Sequence, residues 1–181
     1  MTKQLTLILG GARSGKSSYA EKLALELGGL DVLYVATAQA FDDKMRARIS
    51  AHQAERPTGW RTLEASSLIG APLAQTIGAR RVVLLDCLTL LASNAILALG
   101  DEPAAQAAEG AVDREVSALL AAYREGAATW IVVSNEVGMG LVPPYPLGRA
   151  YRDALGRANQ RIAAVADRVL LMVAGLSLAL K

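Results

Sequence analysis

Leu5-Thr6-Leu7-Ile8-Leu9-Gly10-Gly11-Ala12-Arg13-Ser14-Gly15-Lys16-Ser17 decides how the rest of the chain is read. An apolar run ends in glycine, four residues separate Gly10 from Gly15-Lys16-Ser17, and the helix-like Ser18-Tyr19-Ala20-Glu21-Lys22-Leu23 follows. Strand, glycine loop and helix in that order make a phosphate-binding loop whose backbone N–H groups cradle a nucleotide's phosphates. Glycine permits torsions and close approaches that a Cβ blocks, and the helix start aims unpaired N–H groups and a positive dipole end at the anion. The spacing predicts that Gly10, Gly11, Ala12, Arg13, Ser14 and Gly15 line the phosphates. It also predicts that Lys16 reaches the β and γ phosphates and that Ser17 offers a hydroxyl to Mg²⁺.

The 181 residues suffice for one buried core and are too few for two ordinary domains, so a single domain over 1–181 is expected. With 52% hydrophobic residues and a mean hydropathy of +0.29, the chain is as apolar as buried parallel strands between Ala-rich helices require. The late apolar run from Val169 to Leu180 is shorter than a bilayer span and is interrupted by Gly175 and Ser177. The N-terminal run ends in the phosphate loop too early for a signal peptide. No membrane span is therefore expected, and the cytoplasm is the expected compartment. A single cysteine, Cys87, excludes an internal disulfide and a cysteine-built metal site. A net charge of +2 with 4% aromatics is too balanced, and too poor in stacking platforms, for a nucleic-acid surface.

Outward from the loop, strand-like and helix-like stretches alternate. Strands are expected at 4–9, 31–36, 61–64, 81–86, 129–134 and 168–173, with a further edge strand over 176–180. Helices are expected at 17–27, 42–56, 67–78, 88–98, 104–125 and 148–166. This order predicts a doubly wound α/β sheet, whose ligand lies beyond the carboxyl ends of the strands. The residues just after each strand are thus the candidates. Ala36-Thr37-Ala38 puts small residues and one hydroxyl beside the loop, as a nucleotide's close approach requires and as an ordinary connection also allows. Asp86 ends an apolar strand and should face Mg²⁺; capping the next helix is a compatible role. Asn135 and Glu136 follow another strand, suited to positioning an acceptor hydroxyl or simply to satisfying a strand end. The Pro143-Pro144-Tyr145-Pro146 loop needs something beyond its own backbone to order it, substrate or another subunit. Arg149, Arg152 and Arg157 follow, to bind an anion or to pair with Asp153.

The only histidine, His52, shares a helical face with Arg48 and Arg56. Such a histidine is commonly a solvated surface residue. Alternatively, the arginines disfavour imidazolium and grip a phosphate, which leaves a neutral nucleophile. Glu64, closing the strand after Trp60, reads either as a helix-starting residue or as a ligand for base or ribose.

Taken together, the phosphate loop, Ala36-Thr37-Ala38, His52-Gln53-x-x-Arg56-Pro57-x-x-Trp60-x-Thr62-x-Glu64, Asp86-Cys87-Leu88-Thr89-Leu90 and Asn135-Glu136-Val137-Gly138-Met139-Gly140 resemble one family. It is the bifunctional adenosylcobinamide kinase / adenosylcobinamide-phosphate guanylyltransferase of cobalamin biosynthesis. The likeness continues through Gly148-Arg149, Gly156, Asn159-Gln160 and Ala174-Gly175-Leu176 to Lys181. It implies a P-loop NTPase with a RecA-like, mostly parallel sheet and helices on both faces. It further implies that His52 becomes guanylylated, with Lys16 as the second catalytic residue. GTP contacts are implied for the phosphate loop, Ala36, Thr37, Ala38, Gln53, Ala54, Glu55, Arg56, Glu64 and Asp86, with Ser17 and Asp86 on Mg²⁺. ATP or GTP would phosphorylate adenosylcobinamide, and GMP from GTP would then pass through His52 to adenosylcobinamide phosphate. A homo-oligomer, a trimer, is also implied. One departure is visible: Leu91 stands where the family commonly has tryptophan, which bears on packing or on a substrate contact. Guanine selectivity has no independent signal, since an Asn-Lys-x-Asp segment is absent from the sequence. Two other readings compete: a small-molecule kinase without guanylyl transfer, which would form no covalent nucleotide adduct, and a RecA-like regulatory module, which would bind a partner without corrinoid turnover.

Overall fold

The computed structural model describes residues 2–39, 53 and 56–181. The elements in chain order are β1 (Leu5–Gly10), α1 (Lys16–Gly28), β2 (Val32–Ala36), β3 (Arg61–Glu64), α2 (Gly70–Thr76) and β4 (Val82–Asp86). They continue with α3 (Leu88–Leu97), α4 (Ala105–Glu125), β5 (Thr129–Val133), α5 (Pro146–Val165), β6 (Arg168–Val173) and β7 (Leu176–Ala179).

The strands form one sheet in the order β3-β2-β4-β5-β1-β6-β7, parallel throughout except for β7, which runs antiparallel to β6. Alternate side chains serve two apolar layers, so β1, β2, β4 and β5 read as continuous apolar runs. Leu5, Leu7, Leu9, Leu33, Val35, Val83, Leu85, Trp130 and Val132 face α2 to α5. Ile8, Tyr34, Ala36, Leu84, Ile131 and Val133 face Ala20 and Ala24 of α1. Helices therefore cover both faces, as expected. On α4 and α5, the alanines Ala108, Ala111, Ala154 and Ala158 belong to the buried layer, and small side chains there let the two helices approach.

Most expected elements are present within one or two residues. The helix expected over 67–78 is shorter, Gly70–Thr76, because Leu68 takes the left-handed φ of 50° that a bulky residue does not carry inside a helix. The helix expected over 42–56 lies outside the described residues apart from Gln53 and Arg56. The added edge strand is β7, reached through a two-residue turn in which Ala174 and Gly175 both have positive φ, 52° and 81°, as tight hairpins require. That turn braces the phosphate loop: the Gly175 N–H donates to Ser14 O at 3.0 Å.

Candidate active site

The phosphate loop spans the end of β1 and the start of α1. At Gly10, a Cβ would sit 2.5 Å from Met172 O and 2.7 Å from Ser14 Oγ, so the loop closes only over a glycine. Gly15 caps α1 in the left-handed region at φ 91°, and a Cβ there would press to 3.3 Å of Gly175 Cα. Lys16 is buried; its Nζ donates to Gly11 O at 2.6 Å and reaches Ser14 Oγ at 3.5 Å. Burial lowers its pKa, and the negative potentials of Cys87 and Asp86 partly restore it. The ammonium is thus folded back onto its own loop.

Parallel register aligns the acidic candidates. Glu64 pairs with Ala36, Ala36 with Asp86, Asp86 with Val133, and Val133 with Ile8. Side chains directly across a ladder share a face, so Glu64 and Asp86 both project on the α1 side of the sheet. Asp86 Oδ2 accepts from Tyr34 Oη at 3.1 Å. Burial first, and then Asp86, push the Tyr34 pKa far up, so the phenol stays a donor. The Arg56 guanidinium stacks 3.7 Å from the Tyr34 ring centroid. Asp86 does not cap α3: the cap position is Cys87, without a side-chain bond. Burial, followed by Asp86, raises the Cys87 thiol to about 11.

Thr37 is fully buried, and its hydroxyl serves the neighbouring peptide, donating to Cys87 O at 2.7 Å and accepting from Cys87 N–H at 2.9 Å. Asn94 Nδ2 donates to Thr37 O and Ser66 O, at 2.8 and 2.9 Å, tying this turn to the next loop. Gln53 Nε2 donates to Glu64 Oε1 at 2.7 Å, which brings the residue after the histidine to the acidic row. His52, Ala54 and Glu55 lie outside the described residues.

On the other flank, the Glu136 N–H donates to Gly10 O at 3.1 Å, and Glu136 Oε1 accepts from the Gly138 N–H at 2.8 Å. Asn135 is held through its N–H on Thr89 Oγ1 (2.8 Å) and its carbonyl on Asn159 Nδ2 (3.0 Å). Within the chain the proline loop is held by Arg149, whose Nη1 donates to Pro143 O and Pro144 O, at 3.1 and 2.8 Å. The pairing expected for Asp153 is made by Arg152, at 2.8 Å, while Arg157 pairs with Glu109 at 3.0 Å. Leu91 is fully buried in the core, so the family departure there is a matter of packing. Tyr34 and Asn94 escaped the sequence reading, and Asn159 entered it only through the family likeness. Asn94, a lone amide inside Leu90-Leu91-Ala92-Ser93-Asn94-Ala95-Ile96, was the detectable one.

Among the described residues no three His, Cys, Asp or Glu side chains gather to hold a metal alone. Ser17 and Asp86, a hydroxyl with one carboxylate, are oxygen donors of the kind Mg²⁺ takes beside phosphate oxygens. Asp86 raises the Lys16 pKa although β5 lies between β4, which ends in Asp86, and β1, which leads into the loop of Lys16. A phosphate loop and an acidic strand so separated define a RecA-like P-loop nucleotide-binding protein. Two solved structures share the fold: a prototypical ATPase from the type III secretion system of pathogenic bacteria, with TM-score 0.59 and 16% identity over 97% of this chain and 56% of that one, and the flagellar accessory protein FlaH of Methanocaldococcus jannaschii, with TM-score 0.50 and 14% identity over 98% and 78%. Sequence narrows the class further. The family model "Cobinamide kinase / cobinamide phosphate guanyltransferase" matches residues 6–180, and the chain belongs to that family. The bifunctional adenosylcobalamin biosynthesis protein CobU of Salmonella typhimurium is 42% identical over 98% of this chain and 99% of its own length. CobP of Pseudomonas aeruginosa, described in the same words, is 47% identical over 97% and 96%. Among the described residues no helix is long and apolar enough to cross a membrane.

Proposed function

We propose that this chain carries out both reactions named for its family: phosphorylation of adenosylcobinamide by ATP or GTP, then transfer of GMP from GTP to adenosylcobinamide phosphate. The observation that carries the reading is the single register row that sets Glu64 and Asp86 on the α1 face beside the loop of Lys16. In the first reaction, the loop N–H groups and Lys16 hold the triphosphate and stabilise charge on the transferring γ-phosphoryl group as the aminopropanol hydroxyl attacks. Ser17 and Asp86 would hold Mg²⁺, which neutralises phosphate charge when bound. In the second, the His52 imidazole attacks the α-phosphorus of GTP and expels pyrophosphate; the substrate's phosphate then displaces GMP from His52 to give adenosylcobinamide-GDP. The role of His52 rests on the family likeness. Gln53 on Glu64 supports a neighbouring nucleoside site, with Glu64, Ala36, Ala38 and Arg56 around it.

The same reading makes the chain one domain, built on one sheet, and a homo-oligomer, a trimer. Exposed Leu176 and Leu178 on the edge strand β7 support association. It also places the enzyme in the cytoplasm, where a lone reduced Cys87 is at home.

The test is to mix the protein with Mg²⁺ and GTP labelled at the α or the γ position, without corrinoid, and denature it. Acid-labile protein label from α-labelled GTP alone, lost in His52→Ala, is the expected result. Protein that binds GTP yet takes up no label would make it a kinase only.

A further inference from the structure

A cavity of about 560 Å³ opens on the α5 side of the sheet. Two of its lining residues adjoin the phosphate loop. Leu9, the residue before Gly10, lines it, and so does Glu136, whose N–H is bonded to Gly10 O. The cavity is thus on the face of the sheet opposite to the one on which Asp86 and Glu64 project.

Two features inside the cavity have no explanation within the chain. Asn159 lines it and is 5% exposed; its Nδ2 donates to Asn135 O, which sets the amide's orientation, and its buried Oδ1 has no hydrogen-bond partner. Buried polar atoms are ordinarily paired, so this acceptor is matched to a donor from outside the chain. Gly156, one turn earlier on the same helix, also lines the cavity, and a Cβ on it would meet nothing within 4 Å. Glycine weakens a helix interior, and no neighbouring atom demands one here. The space it leaves is open to a ligand. The other hollow, about 400 Å³ between α4 and α5, has its charges mutually paired, Arg157 with Glu109 and Arg161 with Asp113.

We propose that the cavity is the acceptor subsite, and that it receives a carboxamide-bearing side arm of the corrinoid, whose N–H₂ donates to Asn159 Oδ1. A primary amide both donates and accepts, and the wall supplies Gln160 as a donor for its oxygen beside the apolar Leu9 and Ala163. A whole corrin is too large for this volume, so the ring rests outside and one arm enters. This rests on the functional reading above and adds to it where the substrate is held.

The test is steady-state kinase assay of the full chain with cobinamide and GTP, together with titration of cobinamide binding by corrin absorbance, for wild type, Gly156→Phe and Asn159→Leu. The bulky side chain of Gly156→Phe fills the cavity without entering the core. Its KM and Kd for cobinamide should rise about tenfold or more, with kcat less affected and the GTP-induced thermal shift kept; Asn159→Leu should move in the same direction. Wild type active on cobinamide, with Gly156→Phe unchanged in KM and Kd, would overturn the subsite alone. Wild type inert toward cobinamide would overturn both the subsite and the functional reading.

Discussion

Tyr34 shows what a single atom contributes here. Its hydroxyl holds Asp86 Oδ2 at 3.1 Å and, with its pKa raised by burial, stays protonated throughout the physiological range. Tyr34→Phe leaves the ring's packing and frees the carboxylate to rotate. The Mg²⁺ concentration giving half-maximal kinase activity should rise several-fold, at a stability cost of about 1 kcal/mol; Mg²⁺ titration and chemical denaturation check the two parts. Lys16 is the loop's only ammonium. Lys16→Met should abolish the nucleotide-induced thermal shift, worth about 2.7 kcal/mol at a hundredfold excess over Kd, and with it both activities. Because burial holds its folded, nucleotide-free pKa below 10.5, the unfolded chain binds more protons between the two values. Lys16 alone therefore makes stability rise with pH across that window. The difference in Tm between wild type and Lys16→Met, followed upward in pH without nucleotide, should shift in favour of wild type. Lys16 and Asp86 were legible because motif spacing marks them. Tyr34 was not, since a tyrosine in an apolar strand looks like packing until the neighbouring strand is in register.

Among the elements, α2 depends on a residue far away in the chain. Its seven residues lack a side-chain cap of their own, and the buried Glu115 of α4 supplies one, accepting from the Leu68 and Ile69 N–H groups at 2.6 and 3.0 Å. Glu115→Ala leaves the buried Ile69 N–H unpaired and strips the more open Leu68 N–H of its acceptor, and should cost about 1–3 kcal/mol, measured by urea unfolding. Loss of α2 order would be felt at Ser66, whose carbonyl shares Asn94 with Thr37. Existence and order of the elements were readable because buried parallel strands are apolar throughout and the intervening helices are periodic. The start of α2 was not, because it is set by a carboxylate 46 residues from Ile69.

At the scale of the whole molecule, the described residues leave β7 as an apolar rim of the sheet, paired on one side only. β7 is exposed at every residue, and its leucines Leu176 and Leu178 are 76% and 58% accessible. An edge strand of that kind pairs or is covered. Sedimentation of the wild type should give an oligomer, and Leu176→Lys with Leu178→Lys should give monomer. The turn that leads into β7 braces Ser14, so association through β7 would also reach the phosphate loop. By itself the sequence determined what is local: a glycine loop between a strand and a helix, the alternation that builds a parallel α/β sheet, and the lysine, serine and aspartate that such a loop requires. These depend on neighbours in the chain. The tertiary structure alone decided that Glu64, Ala36 and Asp86 fall in one row, that Tyr34 holds Asp86, and that Asn159 and Gly156 open a cavity against Leu9 and Glu136. Parallel strands are joined by long crossovers, and register between them is set by packing of both layers at once, which no stretch of sequence contains.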